Sequence, residues 1–199
     1  MAQRPTVLNV GGGSKSIPLP AHYAGWDHRL LDIQAGEDVD FVCDGRELLR
    51  FPGNVYDAVY CSHNLEHYYR HDLLKVLEGF RHVLRPDGFC EIRVPDLGEV
   101  IREMVARDLR LDSELYRSPA GAITVHDVIY GFGVEIERSG NPFYAHKCGF
   151  TPDSLVAALQ QAGLAQVWLA PPLARYEARA VAFMQPATPE QQRLLGIIS

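Results

Sequence analysis

Residues 6–13, Thr-Val-Leu-Asn-Val-Gly-Gly-Gly, run a short β-branched apolar stretch directly into three glycines. A strand buried on both faces reads as such a run, and glycines at its end let backbone amides approach a ligand with no Cβ in the way. Asp32 closes the next apolar segment, about 20 positions after the loop, where an acid grasps a ribose diol in nucleotide-binding α/β sheets. The alternatives are plain: a tight turn without a ligand for the glycines, and a loop cap for Asp32.

The rest of the pattern agrees with an α/β chain. Strands are expected at 6–10, 29–33, 39–43, 55–62 and 89–94. Asp72 should cap a helix whose Leu73, Leu77, Phe80 and Leu84 share one face, and Arg85-Pro86-Asp87-Gly88 should end it. A second helix is expected over 96–108 and a third from Thr151-Pro152-Asp153 to Gly163. Strands at about 164–170 and 177–184 complete a mostly parallel sheet with one antiparallel strand. Residues 111–150, rich in Gly, Ser, Pro and aromatics, read as an irregular lid over an acceptor site, within one domain spanning 1–199. The tail from Thr188 reads as a short helix carrying Leu194, Leu195, Ile197 and Ile198, packed on the body or on a second copy in a homodimer.

Ser16 stands where a dinucleotide fingerprint has its third glycine, and Pro18 and Pro20 disfavour the helix whose N-terminus would hold a pyrophosphate. A dinucleotide oxidoreductase is thereby disfavoured. S-adenosyl-L-methionine has no phosphate and carries a sulfonium and an ammonium, so the residues favour it over the dinucleotide.

Five segments in order, LNVGGGSK, LLDI, VCDGREL, YDAVYCSHNLEHY and VLRPDGFCEIRVPDL, are similar to the motifs of class I S-adenosylmethionine-dependent methyltransferases. The chain most resembles a compact bacterial, type 11-like subgroup. The likeness runs from about Val7 to Leu97 and, more weakly, from His146 to Gly163. It implies a Rossmann-like three-layer sandwich with a seven-stranded, mostly parallel sheet and a first helix shortened or missing. It also implies S-adenosyl-L-methionine as cofactor and methyl transfer to O or N of a small-molecule or glycan-linked acceptor. A non-enzymatic binding or scaffold module of the same fold is the alternative.

Carried over by the resemblance, Gly11, Gly12 and Gly13 would border the donor's methionine part. Asp32 would hold the ribose and Ile33 pack on the adenine. Asp44 would accept from the adenine amine, beside the Gly45 amide. Ser62 and His63 would lie near the transferring methyl. Asn9 stands where the family usually has an acid, and Lys15 replaces the motif's last glycine. His63 and His67 are the candidate bases, with Glu66 between them to orient one or cap a helix. His126 and His146 lie where they could enter the acceptor site, and Tyr68, Tyr69 and Tyr130 could line it. His63 and His67 have helical i, i+4 spacing, but no metal site is expected.

The net charge of −6 argues against a nucleic-acid or membrane partner. No apolar run approaches the ~20 residues of a membrane span. The first strand follows the N-terminus too closely for a signal peptide. Cys43, Cys61, Cys90 and Cys148 are widely spaced. Together these features predict a cytoplasmic protein.

Overall fold

The computed structural model describes residues 4–119 and 121–197. The apolar run before the glycines forms β1 (Thr6–Val10), at the centre of a seven-stranded sheet. Its neighbours are β2 (Asp27–Asp32) and β4 (Tyr56–Ser62), both parallel to it. Beyond β2 lies β3 (Phe41–Val42), and beyond β4 lie β5 (Leu84–Pro95), β9 (Glu177–Phe183) and β8 (Gln166–Ala170), giving the order 3-2-1-4-5-9-8. β9 runs antiparallel to both neighbours and is the single reversed strand. The sheet therefore has the strand count and direction pattern that the resemblance implies.

On one face, α1 (Leu73–Val83) buries Leu73, Val76, Leu77, Phe80 and Val83 against β1, β4 and β5. α5 (Pro152–Gln161) begins at a Thr151–Ser154 capping box and joins the same core through Leu155 and Leu159. α2 (Leu97–Ala106) starts where the Asp96 carboxylate accepts the amides of Gly98 and Glu99.

The other face lacks its usual first helix. Between β1 and β2 the chain makes only a loop and a 3-10 turn, Ala21–Tyr23. A parallel sheet must be covered on both faces, and here aromatics and the chain's tail provide the cover. Tyr23, Tyr60, Phe89 and Phe183 pack with Leu195 and Ile197, which flank the end of α6 (Pro189–Leu195). The tail thus docks on its own sheet; Ile198 lies outside the described residues.

Three expectations are corrected. Residues 85–88 do not simply end α1. The register jumps from Tyr56↔Leu84 to Ala58↔Phe89, so they bulge opposite Asp57, whose carboxylate takes a 2.7 Å hydrogen bond from Arg85. Asp72 makes no capping bond, because its carboxylate is paired with Arg46. The segment 111–150 is largely regular, with a hairpin of β6 (Glu114–Ser118) and β7 (Gly121–Thr124) followed by α3 (Val125–Tyr130) and α4 (Gly133–Ser139). Leu115, Ile123, Val125 and Val128 give it a small core of its own with Val100 and Tyr176.

Glu91, on β5, is fully buried beneath the helix-free face. Arg179 Nε donates to it at 2.7 Å, the Tyr23 hydroxyl donates at 3.0 Å, and His22 Nε2 lies 2.7 Å away. Burial opposes the charge, but His22 and Arg179 outweigh it and hold the carboxyl below its ordinary value. The pair therefore stabilises the fold above the free carboxyl value, and that stabilisation is lost as pH falls through the lowered one. Glu91→Gln strands a buried guanidinium and is expected to cost about 3–5 kcal/mol in urea unfolding. A loss below about 1 kcal/mol, the range of an exposed pair, would show that the network does not anchor this face.

Candidate active site

Strand order reverses between β1 and β4, and α/β sheets bind ligands in the crevice beyond the carboxyl ends of such strands. A cavity of about 350 Å³ opens there. Its walls include Gly11, Gly13, Asp32, Ile33, Asp44, His63 and His67. With Tyr68 and Tyr69, also on the wall, nine of the sequence-predicted positions are thus brought together from β2 and the loops after β1, β2, β3 and β4.

The others stand behind the wall. Asn9 faces the opposite side of β1, where its Nδ2 lies 3.3 Å from His28 Nε2. It is not on the cavity surface, so it cannot stand in for the acid that would hold an ammonium. Gly12 leaves room for that Asn9 side chain, and Gly45 leaves room for the Tyr68 ring, whose hydroxyl would be 2.5 Å from a Cβ there. Ser62 ends β4 opposite Arg93 and does not reach the cavity. Lys15 is drawn away by a 2.6 Å ion pair with Asp40.

Asp32 is a clamp as well as a wall. One oxygen accepts the Gly13 amide and the other the Gln34 amide, both at 2.9 Å. A carboxylate has about four acceptor positions, so half of its capacity remains for a ligand. At Gly13, with φ +69°, an added Cβ would meet nothing nearer than Ile17 at 3.9 Å. At Gly11, with φ +74°, the Asn64 side chain already fills the space.

The acids Asp44 and Asp72 on the cavity wall are paired with a cation. Arg46 grips Asp44 through Nε and Nη2 and reaches Asp72 at 3.1 Å, so these two acids are neutralised. Lys147 adds a cation, 5.4 Å from the Tyr69 ring centre and 5.6 Å from that of Phe143. Of the irregular segment, Phe143, Tyr144 and Lys147 reach the cavity, while Tyr130 and His126 do not. Arg46 directly follows the Asp44-Gly45 pair, a basic neighbour that the sequence does print. The approach of 143–147 leaves no local signal.

His63 adopts φ +50°, an uncommon backbone for a residue with a Cβ. Its amide donates to the Arg93 carbonyl at 2.8 Å, which fixes the turn after β4. Its Nε2 lies 3.3 Å from Glu177, which also takes the Arg93 guanidinium at 2.6 Å, and its Nδ1 lies 3.6 Å from Glu66. Burial opposes the imidazolium, but Glu177 and Glu66 prevail and raise its pKa to about 9. Burial likewise opposes ionisation of Glu177, yet His63 and Arg93 lower its pKa to about 2. His63 is thus a cation at neutral pH and a poor proton acceptor.

A family model described as a methyltransferase domain matches residues 2–168. The chain belongs to this methyltransferase domain family. No curated protein matches the methyltransferase significantly in sequence. Its fold is similar to that of a SAM dependent methyltransferase from Archaeoglobus fulgidus, at 16% identity and TM-score 0.52, covering 90% of this chain and 86% of that one. The PH0226 protein from Pyrococcus horikoshii OT3 is similar at 14% identity and TM-score 0.58, covering 92% and 84%. Human N-acetylserotonin methyltransferase, solved in complex with SAM, is similar at 16% identity and TM-score 0.53, covering 92% of this chain and 48% of that one. The methyltransferase has no helix among the described residues long and apolar enough to cross a membrane.

The His63 imidazole should titrate near pH 9 by NMR in the folded methyltransferase, and Glu177→Gln should lower that midpoint. Because the folded value lies above the free value of 6.5, the stabilisation is complete below pH 6.5 and is lost as pH rises through about 9. A midpoint at or below 6.5 would show that the two carboxylates do not hold the proton.

Proposed function

We propose that this methyltransferase takes S-adenosyl-L-methionine in the cavity and methylates an oxygen or nitrogen of a small-molecule or glycan-linked acceptor. The observation that carries the reading is Asp32. Its unspent acceptor positions lie at the end of β2, beside the open Gly13 backbone, in a cavity with the apolar side chains of Val10, Leu31 and Ile33 on its wall. A ribose diol needs two acceptors, and an adenine ring needs such apolar walls. The cavity falls in the size range of small-molecule sites, about 300–1,000 Å³. No helix follows the glycine loop to hold a pyrophosphate, so the residues fit an adenosyl group better than a dinucleotide.

When bound, the donor supplies a methyl group on a sulfonium centre. Gly11 and Gly13 border its methionine part, Asp32 holds the ribose, and Ile33 packs on the adenine. Asp44 accepts from the exocyclic amine in competition with Arg46, which already contacts each carboxylate oxygen twice. Gly12, Gly45, Asn9 and Ser62 act by shaping the wall from behind. His63 contributes positive charge. His67 Nδ1 lies 3.1 Å from the Ala145 carbonyl, so Nδ1 carries the hydrogen and Nε2 is the ring nitrogen left to take the acceptor's proton. The acceptor enters beneath Tyr69, Phe143 and Lys147, aromatic and cationic groups suited to a small polar molecule. Transfer forms the bond from methyl carbon to acceptor and breaks the carbon–sulfur bond, and the acceptor gives up a proton. Free cysteines at 43, 61, 90 and 148 fit a reducing compartment, the cytoplasm.

Calorimetry with S-adenosylmethionine and its demethylated product tests the donor site. Asp32→Ala should weaken both by at least ~1.5 kcal/mol, the loss of a charged hydrogen bond. Unchanged affinity in a folded variant would remove Asp32 from the site. His67→Ala should slow labelled methyl transfer by roughly 10²-fold or more while leaving donor affinity unchanged. Equal turnover would reduce His67 to packing.

A further inference from the structure

Glu66 is 1% exposed, and neither of its carboxylate oxygens has a hydrogen-bond partner. Burying an ionised carboxylate without donors is costly, so such a group is normally paired or bound to a metal. His63 Nδ1 lies 3.6 Å from one oxygen, an ion-pair distance beyond hydrogen-bond reach, while its Nε2 faces Glu177.

The two other histidines have the same unusual arrangement. His67 Nδ1 lies 3.1 Å from the Ala145 carbonyl, and His146 Nδ1 lies 3.0 Å from the Val128 carbonyl. A carbonyl only accepts, so each Nδ1 carries the hydrogen and each Nε2 is left with a lone pair. Metal-ligating histidines are oriented in this way, with the second ring nitrogen donating to a backbone carbonyl. The rings of His67 and His146 meet edge to face with centres 4.9 Å apart. Glu66, His67 and His146 each bring one ligand-capable atom to within 4.8 Å of the other two.

The backbone fixes this convergence. The Glu66 carbonyl accepts the amides of Lys147 at 2.8 Å and Cys148 at 3.2 Å, and the His146 amide donates to the Tyr130 carbonyl at 2.9 Å. Residues 65–67 and 146–148, far apart in sequence, are thus laced together around the three side chains. Metal–ligand bonds of ~2.1 Å place ligand atoms roughly 3–3.5 Å apart, within reach of small side-chain rotations.

We propose that Glu66, His67 and His146 bind a divalent first-row transition ion, of the Zn²⁺ or Co²⁺ kind, at the edge of the cavity. Two imidazoles and one carboxylate suit such ions better than Mg²⁺ or Ca²⁺, which take all-oxygen sites. Three protein ligands leave a coordination position open, as in catalytic and not structural zinc sites. His67 is part of the cavity wall, so the ion would adjoin the acceptor; with the ion bound, His67 Nε2 is a ligand and does not take the acceptor's proton.

The test uses the full chain stripped with a chelator, titrated calorimetrically with ZnCl₂ and MgCl₂ and followed by visible absorption with CoCl₂, without the methyl donor. One Zn²⁺ or Co²⁺ per chain is expected, with Mg²⁺ much weaker. Glu66→Gln and His146→Ala should each weaken Zn²⁺ at least ~10-fold, as loss of even a supporting group does. His71→Ala, at an exposed position, and Asp32→Ala should match the wild type, which separates this site from the donor site. If His146→Ala fails to fold by circular dichroism, the near-isosteric Glu66→Gln and the wild-type stoichiometry decide. Absence of one-to-one binding in the wild type, or wild-type affinity in a folded Glu66→Gln, overturns the proposal.

Discussion

The fold depends on a buried ion pair in the place where a helix is missing. A parallel sheet exposes a second apolar face unless something covers it, and this chain spends only a loop and a 3-10 turn between β1 and β2. Glu91 and Arg179, from adjacent strands, solve the problem by gathering distant pieces. The carboxylate draws in His22 and Tyr23 from the loop, and the guanidinium donates to the Leu195 carbonyl at the end of the tail helix. Apolar packing by Phe89, Phe183, Leu195 and Ile197 then closes the face. The charged pair adds little attraction net of its desolvation, but it specifies which segments come together.

Replacing a helix with a short loop has consequences on the functional side of the sheet. The loop after the glycines cannot rely on a helix to hold it, so carboxylates do the work. Asp38 accepts from the Ser14 hydroxyl, Asp40 pairs with Lys15, and Asp32 accepts the Gly13 amide. The loop lies close against β2, and Asp32 is positioned by the same bond that positions the backbone beside it. Cavity shape and donor preference therefore follow from one local substitution of side-chain hydrogen bonds for helical ones.

The charges around the crevice fall into two groups. Arg46 ties Asp44 to Asp72 on one side of the crevice, while Arg93, Glu177 and His63 form a second chain under the β4 turn. Both groups pair acids with bases from different elements, so the pocket is nearly balanced and not acidic. His63 thereby differs from His67. The first is a cation held between carboxylates, and the second is a ring aimed by a backbone carbonyl.

Local sequence determined much of this protein. The β-branched run, the glycine loop, Asp32 and the helix of Leu73, Leu77 and Phe80 were legible because strand and helix periodicity and glycine's freedom are short-range properties. The prolines at 18 and 20 likewise announced the absent helix. Tertiary structure alone decided where Asn9 and Ser62 point and that the tail covers the sheet. It also decided that residues 114–139 fold around their own core, and that Glu177, 114 positions from His63, sets that histidine's charge. Such pairings arise from strand order and crossing chain segments, and no period within one segment encodes a neighbour contributed by another.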